Sequence, residues 1–194
     1  MCGRYTVNTE DEIIEMREII QEISIRLSKE YMEAYGGREA YPSMRAPVIT
    51  TERELTLCKW GFKKWNSNGV IFNARSEGIA TSRFFASHLK TGRCIVPASS
   101  YFEWQRQNNK PVTKYKIFAN NEKSLYMAGI IRSNPNSDDE FAIITREAAK
   151  NISFIHHRMP LILNKEQIIL WLDGNYYERL LYNESVPVDY KEVG

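Results

Sequence analysis

No apolar run in this 194-residue chain approaches the roughly 18 residues that a membrane-spanning helix needs. The opening Met1-Cys2-Gly3-Arg4-Tyr5 lacks the apolar stretch of a signal peptide, so no membrane association is expected. Cysteine is scarce: Cys2, Cys58 and Cys94 are odd in number and form no CxxC pair. That excludes a disulfide scaffold or zinc knuckle and points to a reducing cytoplasm. Histidine is equally sparse (His88, His156 and His157) and no Cys/His spacing completes a zinc site. No metal and no organic cofactor are expected. The chain has no internal repeat, low-complexity segment or linker, and its length fits one domain over residues 1–194.

The net charge of +2 conceals an uneven distribution. Between Lys59 and Arg106 eight basic side chains face only Glu77 and Glu103, a charge of +6, which leaves the remainder at −4 (18 basic against 22 acidic). Trp60, Phe62, Trp65, Phe72, Phe84, Phe85, Tyr101, Phe102 and Trp104 are interleaved with those cations. Single-stranded nucleic acid calls for this combination, cations for phosphates and flat faces for unstacked bases. The same pattern also describes aromatics in a core beneath a solvated lysine face.

Along the chain, Arg4–Val7 reads as a strand. Thr9 with Glu12 forms a capping-box pattern ahead of a Glu-rich, Ile-periodic helix that stops at Gly36-Gly37. Strands are predicted over Arg45–Thr50, Leu55–Phe62, Val70–Phe72, Arg93–Pro97, Tyr101–Trp104, Lys114–Phe118, Leu125–Arg132 and Phe141–Thr145. Asn73 is placed on a loop, and short helices are predicted over Ser82–His88 and Glu147–Ile152. Asn164 and Gln167 cap a helix through Leu172 that Gly174 ends. Hairpin-connected strands with attached helices make the class α+β.

Four places carry candidate chemistry. Methionine is trimmed when the next residue is small, which would leave Cys2 at the N-terminus with amine and thiol on adjacent carbons. The amine, with a reference pKa of about 7.7–8.0, is partly neutral at physiological pH. Such an aminothiol condenses with an aldehyde to an imine, and the thiol then closes a thiazolidine; an internal cysteine cannot do this. The Asn73 amide can orient a substrate or amine, and Arg75 offers a fork for phosphate; an ion pair with Glu77 is the plainer reading of Arg75. Glu103, between Phe102 and Trp104, would have a raised pKa and serve in proton transfer if it points inward; it is an ordinary surface residue if it points outward. In His156-His157-Arg158-Met159-Pro160, one histidine suits acid–base work and Arg158 a phosphate.

Together these pieces resemble the SRAP family, the SOS-response-associated peptidases, viewed as abasic-site-processing proteins. The matching motifs are Met1-Cys2-Gly3-Arg4-Tyr5, Trp60-Gly61, Asn73-Ala74-Arg75, Arg93-Cys94-Ile95-Val96-Pro97, Phe102-Glu103-Trp104 and His156-x-Arg158-Met159-Pro160. They run in order from Met1 to about Leu163. The resemblance implies mostly antiparallel strands in a barrel-like core with flanking helices. It also implies a covalent DNA link through Cys2, with Asn73, Glu103 and His156 as partners. The expected DNA contacts are Arg4, Trp60, Lys63, Lys64, Trp65, Arg75, Trp104 and Arg158, and the expected partner is single-stranded DNA with abasic sites, bound by a monomer. Three places depart from the family pattern: Ser82-Arg83-Phe84-Phe85, Ala98-Ser99-Ser100, and the basic Lys63-Lys64-Trp65. The alternatives are a thiol peptidase using Cys2 and His156, and a non-covalent single-strand binder. Self-removal of Met1 and a minor lyase cut are compatible with the covalent reading.

Overall fold

The computed structural model describes residues 2–9, 12, 36–64, 67–108, 110–120, 124–174, 176–183 and 186–193. The helix expected up to Gly36-Gly37 falls almost wholly outside them. At its start, the Thr9 N–H donates to Glu12 Oε2 at 2.7 Å, one arm of the expected box.

Five strands close on themselves: β3 (Arg45–Thr50), β4 (Leu55–Trp60), β8 (Arg93–Ala98), β11 (Leu125–Arg132) and β12 (Glu140–Glu147). The ring runs β11-β8-β3-β4-β12 and returns to β11. Every contact in it is antiparallel except β4 with β12, where Glu140 and Phe141 pair with Lys59 and Trp60. Closure hides the strand edges, and β8 is buried along its whole length. Alternate residues serve two cores. Cys94, Val96, Met127, Phe141 and Ile143 pack in one with Cys2, Tyr5 and Tyr101. Ile95, Ala128, Ala142 and Ile144 pack in the other with Trp171, Leu172 and Leu89 of the helices.

A second, five-stranded sheet has the order β14 (Val188–Glu192), β10 (Lys110–Ala119), β9 (Ser100–Gln107), β1 (Tyr5–Thr6) and β2 (Glu39–Ala40). Two short strands, β5 (Phe62–Lys63) and β6 (Val70–Ile71), pair with each other. The expected α+β barrel with flanking helices is the fold observed. The helix Lys165–Asp173 carries the full Asn164/Gln167 capping box, and Gly174 follows it in the left-handed region at φ 78°.

Four local expectations are corrected. Asn73 is not on a loop: Asn73–Arg75 forms β7, which pairs in parallel with Ile143–Thr145 of β12. The strand read through Phe62 breaks at Gly61, whose φ of 114° excludes extended backbone. No helix forms over Glu147–Ile152. Glu147 is taken by β12 in its pairing with Arg158 of β13 (Arg158–Pro160), and the turns that follow bury Ile152 and Ile155. The helix expected over Ser82–His88 begins later, at Ala86, because Ser82 Oγ accepts from the N–H groups of Phe84 and Phe85 in a turn.

Candidate functional site

The N-terminal strand brings Cys2 to Glu103. In β1, Tyr5 pairs with Tyr101 and Thr6 with Ser100, and the Phe102 N–H donates to the Arg4 carbonyl at 2.9 Å. The chain therefore runs antiparallel to β9 and carries Cys2 toward Glu103. From the opposite side, Asn73 Nδ2 donates to the Cys2 carbonyl at 2.9 Å. Parallel pairing with β12 sets the position of Asn73. Trp60 Nε1 and the Ile143 N–H both donate to the carbonyl of the preceding Phe72, at 3.0 and 3.1 Å. Asn73 Oδ1 is buried and has no hydrogen-bond partner among the described residues.

Cys2 is fully buried, with Sγ 4.0 Å from the Arg4 carbonyl. Burial pushes its thiol far above the usual range, and the Glu103 carboxylate adds to the effect. Glu103 is 5% exposed, which decides its direction: it points inward, and burial raises its carboxyl above the ordinary value. His156 is half-buried. Its Nδ1 lies 2.9 Å from the Arg158 backbone nitrogen and 3.2 Å from the Arg158 carbonyl oxygen, so this backbone fixes the ring's orientation. Burial lowers its pKa to about 4, so the ring is neutral at physiological pH. The His157 ring stacks on it, with centroids 4.4 Å apart.

Above these groups lies a cleft of about 520 Å³ lined by Gly3, Arg4, Arg75, Glu103, Trp104, Arg106, Pro111, His156 and His157. Three guanidinium groups and one carboxylate give it a positive character suited to an anion. Arg4 lies over the Trp104 ring, 5.3 Å from its centroid, and pairs with Glu39 at 3.1 Å. Among the described residues, no group of three His, Cys, Asp or Glu side chains could hold a metal ion. No helix among them is long and apolar enough to cross a membrane.

The predicted residues divide. Cys2, Asn73, Glu103 and His156 come together, and Arg4, Arg75 and Trp104 line the same cleft. Trp60 does not offer a face to DNA. It is fully buried, stacked on Phe141 of β12 at 6.1 Å and tilted against Tyr5 of β1 at 5.0 Å, so aromatic packing between the two sheets encloses the ring. Arg158 is turned inward. Its Nη1 and Nη2 donate to the Glu77 carboxylate at 2.6 and 2.9 Å, and Nη2 also donates to the Thr145 carbonyl at 2.6 Å. Glu77 thus pairs with Arg158 rather than with Arg75. Lys63 and Lys64 line a separate hollow of about 460 Å³, with Arg132 and Glu140. Trp65 lies outside the described residues. Sequence reading missed Arg106 and His157. In sequence Arg106 shows only as one cation of the basic segment, although it shares a strand with Glu103, and the His156-x-Arg158 spacing passes over His157.

A family model described as SOS response associated peptidase (SRAP) matches residues 1–190. The chain belongs to the SRAP family. One similar SRAP relative is the Bacillus subtilis protein named abasic site processing protein YoqW. It is 30% identical over 199 residues, with 93% of this chain and 86% of the relative covered. The Escherichia coli protein named abasic site processing protein YedK is 29% identical over 181 residues, covering 89% and 79%. Among solved structures, a protein from Bacteroides thetaiotaomicron superposes with a TM-score of 0.81 at 22% identity, covering 100% of this chain and 92% of that one. A phage-related protein from Bordetella bronchiseptica gives 0.77 at 24% identity, covering 99% and 94%. These two likenesses concern the SRAP fold alone.

Proposed function

We propose that this SRAP protein processes abasic sites by bonding covalently to them in single-stranded DNA through Cys2. The observation that carries the reading is the hydrogen bond from Asn73 to the Cys2 carbonyl beside the buried carboxyl of Glu103. It fits a cysteine main chain held in place for chemistry at its own nitrogen. Met1 precedes Cys2, so the Cys2 nitrogen is an amide until Met1 is removed. Once free, the amine attacks C1′ of the ring-opened sugar and an imine forms with loss of water. The thiol then adds across the C=N bond, sulfur to C1′ and its proton to nitrogen, giving a thiazolidine. The free Asn73 Oδ1 supports a role in orienting the amine.

The inward Glu103 carboxyl and the neutral His156 suit the proton transfers that open the hemiacetal and expel water. Arg4, Arg75 and Arg106 in the cleft suit the DNA backbone. Lys63 and Lys64 are more remote contributors, in their own hollow. The raised thiol pKa favours attack by the amine first, since a buried, protonated thiol is a poor leading nucleophile but a competent ring-closer. The same burial weighs against a thiol peptidase acting on unrelated peptides. The reading needs no cofactor and no protein partner, and a monomer suffices.

The test is a denaturing gel of Met1-trimmed protein with abasic single-stranded DNA. A heat-stable adduct is expected, lighter by one water than its components. Cys2→Ala should abolish it, while Cys58→Ala and Cys94→Ala retain it. Protein that keeps Met1 should bind the strand and form no adduct. Undiminished adduct from Cys2→Ala or from Met1-capped protein would overturn the mechanism.

A further inference from the structure

One surface beside the cleft exposes aromatic rings that no step above uses. Tyr115 of β10 is the register partner of Glu103 on β9, so the two side chains share one face of the sheet. Tyr190 of β14 pairs with Ile117, two positions along β10, and lies on that same face. Phe154 belongs to the turn that leads directly into His156 and His157 on the cleft wall. Asn151 Nδ2 ties that turn to β14 by donating to the Val188 carbonyl at 2.7 Å.

The three rings meet edge-to-face, with centroids 5.7 Å apart for Tyr115–Phe154, 5.8 Å for Tyr115–Tyr190 and 5.2 Å for Phe154–Tyr190. Tyr101 and Ile117 on this face are buried, yet Phe154 is 46% exposed and Tyr190 36% exposed. An edge-to-face cluster is an ordinary core arrangement; at a surface it leaves flat apolar area facing water, a mark of a binding site.

We propose that Tyr115, Phe154 and Tyr190 form a stacking platform for one unpaired base of the DNA strand, next to the abasic nucleotide on the β14 side of the cleft. The proposal rests on the reading that the cleft takes single-stranded DNA. Two observations favour a base over other occupants. The platform continues the cleft wall, from Glu103 across to Tyr115 and from His156 back to Phe154. The arginines lie in the cleft, whereas Glu192, register partner of Tyr115, puts a carboxylate beside the rings. That charge repels phosphate and leaves the uncharged base as the part of the strand that fits. Stacking on exposed rings is indifferent to base identity, as an abasic-site binder requires.

The experiment compares the trimmed protein with a Phe154→Ala/Tyr190→Ala double variant. The probe is single-stranded DNA carrying a non-reactive tetrahydrofuran abasic analogue, with a fluorescent adenine analogue placed at each flanking position in turn. The wild type should quench the fluorophore at one flanking position, and the double variant should lose that quenching and bind about tenfold more weakly. A Phe154→Tyr/Tyr190→Phe double variant, which keeps both ring faces, should retain affinity and quenching. It keeps the test decisive if the alanine variant melts early. Equal affinity and an identical quenching profile in the alanine variant would overturn the proposal. On true abasic DNA at saturating concentration the alanine variant should still form the Cys2 adduct. A wild type that quenches but forms no adduct would leave the platform standing and sink the covalent reading alone.

Discussion

Trp60 offers the sharpest separation between a residue that touches DNA and one that holds the site together. Its faces are occupied by Phe141 and Tyr5, Phe72 lies edge-on at 5.9 Å, and its indole N–H donates to the Phe72 carbonyl. Trp60→Phe removes that hydrogen bond, worth about 1 kcal/mol net. The Phe72 carbonyl keeps its second donor, the Ile143 N–H, so it is not stranded. The substitution also vacates the space of one fused ring in a fully buried position. Complete truncation of a core Trp costs about 3–5 kcal/mol, so loss of part of the ring system adds roughly 1–2. The total of about 2–3 kcal/mol corresponds to a Tm fall of roughly 4–12 °C for a chain of this size. Differential scanning calorimetry measures it.

The functional consequence is specific as well. Phe72 precedes Asn73, so loosening its carbonyl slackens the residue that grips Cys2, and adduct formation should slow. Affinity for single-stranded DNA, measured by anisotropy well below the Tm, should stay unchanged because no part of Trp60 is exposed. An unchanged Tm together with a roughly five- to 150-fold loss of affinity, the value of one stacked base, would refute this reasoning and make Trp60 a DNA contact.

Two further outcomes follow from burial of charge. Glu103 has a folded-state pKa above its ordinary value, so the native state binds its proton first, and the stability cost of its charge appears as pH rises through the raised pKa. Glu103→Gln should therefore raise the Tm at pH 8 more than at pH 4.5, while slowing adduct formation by about 10²–10⁴-fold; an unchanged rate removes Glu103 from the proton transfers. His156 behaves in the opposite sense. Its pKa is lowered to about 4, so between pH 6.5 and 4 the unfolded chain takes up a proton that the native state refuses, and stability falls with pH across that window. NMR titration should show the His156 ring neutral at pH 6 and the adduct rate free of any step near 6.5; a His156 titration at its ordinary pKa contradicts the assigned environment.

How legible the molecule was depends on how local its determinants are. The Asn164/Gln167 box and Gly174 are set by neighbours in sequence, and the helix between them appears where expected. Strands β3 and β11 alternate between two cores, and their bounds match the reading residue for residue. Asn73 reads as a loop residue because its strand exists only through β12, seventy positions away in register (Ile143 with Asn73), and nothing in Asn73-Ala74-Arg75 announces a parallel partner. Glu147 looked helical for the same reason, its strand being completed by Arg158 across the intervening turns. The inward course of Glu103 was one of two open readings, and only the burial of β9 decided it.

The motif residues were legible as a set but not in their roles, because spacing along the chain does not distinguish a group that meets substrate from one that aims such a group. Trp60 fixes the Phe72 carbonyl ahead of Asn73, and the Arg158 N–H fixes the Nδ1 of His156 while its guanidinium is locked by Glu77 and Thr145. Each supports one of the proposed reacting residues from behind. The Trp60-Gly61 and Arg158-Met159-Pro160 motifs therefore belong with the chemistry for a geometric reason. In the proposed mechanism the nucleophile is a terminal Cys2 with few covalent restraints of its own, and the surrounding barrel supplies the alignment that such a terminus lacks.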